Sequence, residues 1–335
     1  MDGDPSAWLA GTSLAARAPR ARRRLRALGW AALAALLAGE LALRALGLHR
    51  PVLYEPTAYG YRAAPNQDLF RLGNHIEYNS YGMRSSPVAA RPAMGVVRVL
   101  CLGDSVTNGG AITDQQLTYP AQLERLLREH LGAAEVLNAS APGWATDNER
   151  GWLRENGAFG SAVVVLTIST HDLFQPMVPS EIVGHHPAYP RTPPLFAWEN
   201  LLTHYLWPWL TEQVGVEDPG AGAFVPSLEA AARSVGNILA MARRSRADGA
   251  RFLVMFLDQA GPEESDNLTM AAKRMLFAAL RDSGIPLASL RDASERYGRG
   301  ALFRDNVHPS TFGNRVIAEV LDEKLRTQPL RTSWP

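Results

Sequence analysis

A serine follows Gly103-Asp104 at the end of the apolar run Val96-Val97-Arg98-Val99-Leu100-Cys101-Leu102, and a histidine and an aspartate stand together in Asp305-Asn306-Val307-His308-Pro309. A serine hydroxyl is a weak nucleophile until a neighbouring base accepts its proton. Histidine titrates in the range that suits this task, and a carboxylate beside it can orient the ring and stabilise the imidazolium. Ser105, His308 and Asp305 are therefore the parts of an activated nucleophile. The apolar run reads as a buried strand, so Ser105 falls at a strand's carboxyl end, where open α/β sheets hold their ligands.

Two further blocks lie between these ends. Asn138-Ala139-Ser140-Ala141-Pro142-Gly143 ends in a glycine, which permits a close backbone approach, so the N–H groups of Ser105 and Gly143 could both face a developing oxyanion. Ser169-Thr170-His171-Asp172 follows a β-branched run. With Gly103-Asp104-Ser105-Val106-Thr107-Asn108-Gly109 at one end and Asp305 to His308 at the other, the four blocks resemble the SGNH/GDSL hydrolase superfamily over Val96 to Leu325. The resemblance implies Ser105 as nucleophile, Asp305 and His308 as its partners, Gly143 as an oxyanion donor, and no cofactor. The third block departs from the family's Gly-x-Asn-Asp: His171 stands at the asparagine's place and Ser169 at the glycine's. An imidazole N–H can replace an amide N–H, so His171 reads as the third oxyanion donor, the alternative being that this donor is lost. Asp104, Asn138 and Asp172 are expected to support the site through hydrogen bonds.

These residues need a frame, and the sequence between them alternates strand and helix. Strands are read at Val96–Leu102, Glu135–Asn138, Ala162–Ser169, Arg251–Asp258 and Ile285–Leu290. Helices are read at Tyr119–Leu131, Thr146–Asn156, Ser227–Ala247, Ser265–Asp282 and Ser310–Leu325, the last with Ser310 as N-cap. Such alternation implies a three-layer α/β/α fold, with a flavodoxin-like parallel sheet of about five strands. Residues 96–326 form the hydrolase domain, interrupted by a Pro-rich, aromatic insertion at 174–224, which reads as a lid or substrate-shaping element. His185-His186 within it lack further ligands at metal spacing, so no metal is expected. Residues 49–95, rich in Tyr, Pro, Asn and Gly, read as an extended linker with hairpins, in which Arg84 is a charged surface turn residue.

The N-terminus carries an address. Arginines crowd residues 1–26, and an apolar span runs over 27–48, broken by Glu40 and Arg44, which can pair at i,i+4. As a helix the span would be roughly 33 Å long, matching a bilayer's hydrocarbon. It reads as a single-pass signal anchor, in preference to a cleaved signal peptide or a soluble amphipathic helix. The positive-inside rule puts the N-terminus in the cytoplasm and the hydrolase domain periplasmic or extracellular. Residues 327–335 form a tail. The net charge of +1 argues against a nucleic-acid partner, and the one cysteine, Cys101, reads as a buried thiol.

The chain is thus expected to be a serine ester hydrolase working through an acyl-serine, with an acyl ester as substrate and an O-acetylated glycan of the cell envelope as one candidate. The alternatives are an O-acetyltransferase acting on an extracytoplasmic polysaccharide, which keeps the chemistry and changes the acceptor, and a non-catalytic glycan-binding scaffold.

Overall fold

The structure, a computed structural model, describes residues 18–207, 209–210, 224–257 and 266–327. Helix α1 (Ala18–Ala45) comes first. It starts earlier than the apolar span because the arginine-rich stretch is helical as well, and it ends before Gly47, whose φ of +77° breaks the helical path. Two antiparallel hairpins follow, β1 (Tyr54–Thr57) with β2 (Gly60–Ala63), and β3 (Gln67–Arg71) with β4 (Asn74–Tyr78). They do not act as a spacer. Tyr54, Tyr59, Tyr61 and Tyr78 are all buried in the domain: the Tyr61 and Tyr78 hydroxyls donate to the Pro142 carbonyl and Asn108 Oδ1, and the Tyr54 ring packs edge-on to Tyr61 and Tyr189.

The core sheet has five parallel strands: β5 (Val97–Gly103), β6 (Ala134–Ser140), β7 (Val163–Ser169), β8 (Arg251–Leu257) and β9 (Leu287–Ser289), in the order β6-β5-β7-β8-β9. Every residue of β5 and β7 is buried, as strands covered on both faces must be. Arg98 is tolerated in β5 because its guanidinium lies 2.6 Å from Glu135 on β6 and donates to the Phe159 carbonyl at 2.7 Å. Asp258 and Ser265, expected in a strand and a helix, lie outside the described residues, as do 1–17 and 328–335.

Alternate side chains of the sheet feed two cores. Leu100 and Leu102 face α4 (Thr146–Asn156), α5 (Leu228–Ala247) and α6 (Asn267–Asp282), while Val99 and Cys101 face α3 (Tyr119–Leu131) and α7 (Thr311–Thr327). Cys101 is fully buried, and burial pushes its thiol up to about 12, so it packs as an apolar group. The caps hold these helices in register. Ser227 Oγ accepts from Ala230 N at 3.1 Å, and Ser310 Oγ from Gly313 N at 3.0 Å. The strand order reverses beside β5, so the crevice beyond the carboxyl ends of β5 and β7 is the switch point of a doubly wound sheet.

The insertion meets α1. Glu40 accepts from the backbone N–H of Ala197 (2.9 Å) and Trp198 (3.3 Å), Arg44 pairs with Glu40 at 2.7 Å, and Trp198 Nε1 donates to the Leu36 carbonyl at 3.2 Å. The two charges that interrupt the apolar span are thereby satisfied by the domain. The segment Arg22–Ala45 is long and apolar enough to cross a membrane.

Candidate active site

The chain leaves β5 at Gly103 and turns at once into the short helix α2 (Ser105–Asn108). Asp104 caps that turn, its Oδ1 accepting from Val106 N at 2.9 Å, and Ser105 stands half-buried at the crevice. A Cβ at Gly103 would collide with the Thr107 side chain, so only glycine allows the strand to bend this sharply into the helix. Gly109, at φ +83°, ends the turn.

His308 arrives from the opposite end of the sequence. Its Nε2 lies 3.0 Å from Ser105 Oγ, and its Nδ1 lies 2.9 Å from Asp305 Oδ2. Asp305 also shapes the loop that carries it, since Oδ1 accepts from the backbone N–H of Val307 (2.8 Å) and His308 (2.7 Å). Burial alone would raise the Asp305 carboxyl, but those two N–H groups and the His308 ring outweigh it and hold the group below its ordinary value. The carboxylate accepts from Nδ1–H, which leaves the lone pair of Nε2 directed at the serine hydroxyl.

The block around Asn138 forms the floor. Asn138 Nδ2 donates to the Thr107 carbonyl at 2.7 Å, its backbone N–H donates to Ser85 Oγ at 2.7 Å, and Ser140 Oγ donates to Asn138 Oδ1. These bonds tie α2 to β6. Beyond β6, Trp144 N donates to the Ala141 carbonyl at 3.2 Å, closing a turn with Pro142 second and Gly143 third, the latter at φ +80°. Tyr61 and Tyr189 both donate to the Pro142 carbonyl, at 2.5 and 3.2 Å, and a Cβ at Gly143 would meet both hydroxyls.

His171 is not brought to this place. It is exposed at the start of a short 3-10 turn, its ring packs edge-on to Phe224 with centroids 5.2 Å apart, and it does not line the cavity at Ser105. Asp172 turns inward instead, and its Oδ2 accepts from Ser169 N (2.7 Å) and Ser169 Oγ (3.0 Å). In a 3-10 turn successive side chains project in different directions, so burying Asp172 sends His171 outward. Burial raises the Asp172 carboxyl, and burial with the Asp172 charge raises Asp104.

Arg84 overturns the expectation of a surface turn. It is 2% exposed, and its guanidinium donates to the carbonyls of Asn108 (2.5 Å), Gly110 (2.6 Å) and Thr113 (2.5 Å). It threads the loop after α2 like a peg, a role without a sequence signal because its acceptors are backbone oxygens. Asn108 adds to the same frame, accepting from Tyr78 OH at 3.2 Å and donating to the Ser140 carbonyl at 3.3 Å. Tyr61 and Tyr189, which carry no motif signal in the sequence, reach the site from a hairpin and from the insertion.

A cavity of about 290 Å³ opens on Ser105 and His308. A nucleophile, a base and an orienting carboxylate in hydrogen-bond contact beside a small cavity can carry out acyl transfer through a covalent intermediate.

The family model for GDSL-like lipases and acylhydrolases matches residues 101–316. Solved structures with a related chain trace include the lipase/acylhydrolase from Enterococcus faecalis, 12% identical, covering 71% of this chain and 100% of its own, at a TM-score of 0.45. Another is a catalytic mutant of Axe2, an acetylxylan esterase from Geobacillus stearothermophilus, 17% identical, covering 71% of this chain and 97% of its own, at a TM-score of 0.42. A search of curated protein sequences found no match.

Proposed function

Because this chain belongs to the GDSL-like lipase/acylhydrolase family and is an SGNH-type esterase, we propose that Ser105, His308 and Asp305 are the triad through which it cleaves its ester. The observation that carries this reading is the 3.0 Å contact between His308 Nε2 and Ser105 Oγ, with Asp305 behind the ring at 2.9 Å. Ser105 Oγ attacks the ester carbonyl carbon while its proton passes to His308 Nε2. The carbonyl oxygen takes the negative charge and is held by the N–H groups of Ser105 and Gly143. The bond to the alcohol oxygen then breaks, His308 returns the proton to that oxygen, and the acyl group remains on Ser105. Water, activated by His308, repeats the sequence and releases the acid. Asp104, Asn138 and Asp172 act by holding the turns.

The cavity's size, close to the lower end of the range for small-molecule sites, favours a compact acyl ester. The apolar helix with arginines before it supports a single-pass anchor, N-terminus cytoplasmic and hydrolase domain outside, and hence an acyl ester of the cell envelope such as an O-acetylated glycan. The boundaries 96–326 for the hydrolase domain and 174–224 for its insertion are part of the same reading.

The test uses the detergent-solubilised full chain with para-nitrophenyl acetate and a fluorophosphonate probe. Ser105→Ala should abolish labelling and lower kcat by about 10⁴-fold or more. Unchanged turnover in Ser105→Ala would remove the triad, and adding a polysaccharide acceptor separates transfer from hydrolysis.

A further inference from the structure

The wall of the cavity at Ser105 carries cationic groups, and among the described residues no Asp or Glu lines it. Arg71, from the end of β3, is 2% exposed. Its guanidinium donates to the Gly47 carbonyl (3.1 Å), Asn200 Oδ1 (2.5 Å) and Tyr205 OH (3.0 Å). All three acceptors are neutral, and among the described residues Arg71 makes no ion pair. Burying a guanidinium without an anion costs on the order of several kcal/mol, and here hydrogen bonds to neutral groups are what offset it. A guanidinium has five N–H donors, and those three bonds leave donors over.

Arg304 reaches the same wall from the loop that carries His308. Its Nη1 donates to Thr113 Oγ1 at 3.1 Å, and its Nε is 3.8 Å from Asp305 Oδ2. That carboxylate also accepts from the His308 ring and two backbone N–H groups, so its single negative charge is shared between Arg304 and these donors. His204 comes from the insertion, and burial first and then the charge of Arg71 push its imidazole below the ordinary value. Two guanidiniums, one buried and one reaching solvent, thus border the cavity that opens on Ser105.

We propose that this cavity receives a small oxyanion carried by the ester substrate, a carboxylate or a phosphate, with Arg71 and Arg304 as its cationic contacts. The inference rests on Ser105 being the nucleophile. It narrows the substrate from an acyl ester to a compact anionic one, and charge-assisted bonds to a fixed guanidinium fork supply the selectivity. The anion can sit on the acyl part, as in the monoester of a dicarboxylic acid, or on the alcohol part, as in an acylated phospho-alcohol.

The experiment compares matched pairs on the full chain in detergent, following acid release by pH-stat. Monomethyl succinate is paired with methyl butyrate, and phosphoethyl acetate with propyl acetate. One anionic ester should exceed its neutral partner by about tenfold or more in kcat/KM, the size expected of a buried charged hydrogen bond; which pair shows the preference assigns the side that bears the anion. Arg71→Met and Arg304→Gln should each cut that ratio about tenfold, with Arg71→Lys in between. A purely structural Arg71 would lower both members of a pair alike and leave the ratio unchanged. In the unsubstituted protein, succinate or inorganic phosphate should slow fluorophosphonate labelling competitively, a readout that needs no variant to fold. Equal kcat/KM within both pairs, or labelling indifferent to both anions, would overturn the inference while leaving the triad standing. Turnover and labelling that persist in Ser105→Ala would overturn the triad instead.

Discussion

Asp305 has two tasks within one turn. It orients the His308 ring, and it accepts the backbone N–H groups that bend the loop so the ring can reach Ser105. Because those donors keep its carboxyl below 3.8, it stays ionised throughout the range in which a histidine base can work. Asp305→Asn should therefore lower kcat by about 10⁴-fold, the size seen when the orienting carboxylate of a triad is neutralised, measured with para-nitrophenyl acetate. His171 is the opposite case. Exposed and packed on Phe224, it is outside the cavity, and His171→Ala should keep kcat/KM within about threefold, whereas loss of an oxyanion donor would cost about 10²–10³. Residue type and block order single out Ser105, Asp305 and His308, and the fold brings these three within hydrogen-bond distance of one another. The direction His171 faces is not legible in the sequence, since one residue's rotation in a 3-10 turn leaves no trace in the order of side chains.

Among the elements, α7 sets the position of His308. Its first turn is capped by Ser310 and pressed against the Leu302 carbonyl at Gly313, where a Cβ would collide with that oxygen. Gly313→Ala should push the helix off this seat and shift the His308 turn. The expected result is a fall of about 10²-fold in kcat/KM, as for catalytic groups misplaced by about 1 Å, with slowed fluorophosphonate labelling as the check. Gly39 plays a comparable part where α1 meets the insertion, for a Cβ there would enter the Trp198 ring. Gly39→Leu should undock the insertion and speed proteolysis near Trp198 in proteoliposomes, with little effect on the thermal unfolding of the domain. The core strands and helices fall within a few residues of where periodicity puts them, because each is long and patterned. The composition of residues 49–95 points to a linker with hairpins; two hairpins are there, and what composition does not reveal is that Tyr54, Tyr61 and Tyr78 are buried.

Taken as a whole, the molecule keeps several ionisable groups away from water. Glu149 is 1% exposed, and burial, followed by the charges of Asp172 and Asp104, raises its carboxyl well above 4.5. A group raised on folding contributes its stability fully below the unfolded value and loses it as pH rises through the folded value. The domain should thus lose melting temperature as pH climbs above 4.5, and Glu149→Gln should flatten that decline, as read by thermal unfolding across pH. Arg84 is buried the other way, with its charge spread over three carbonyls. Arg84→Met should destabilise the domain by about 3 kcal/mol or more, since each orphaned acceptor costs about 1–3 kcal/mol, measured by denaturant unfolding. By itself the sequence determined the doubly wound sheet, the strand end that presents Ser105, and the residues able to activate it, because hydrophobic periodicity and short motifs are local properties of a chain. Only the tertiary structure decided what surrounds Ser105. Arg71 comes from a hairpin and Arg304 from the last loop, and the two cations come to border one cavity only once segments far apart in the chain are packed together.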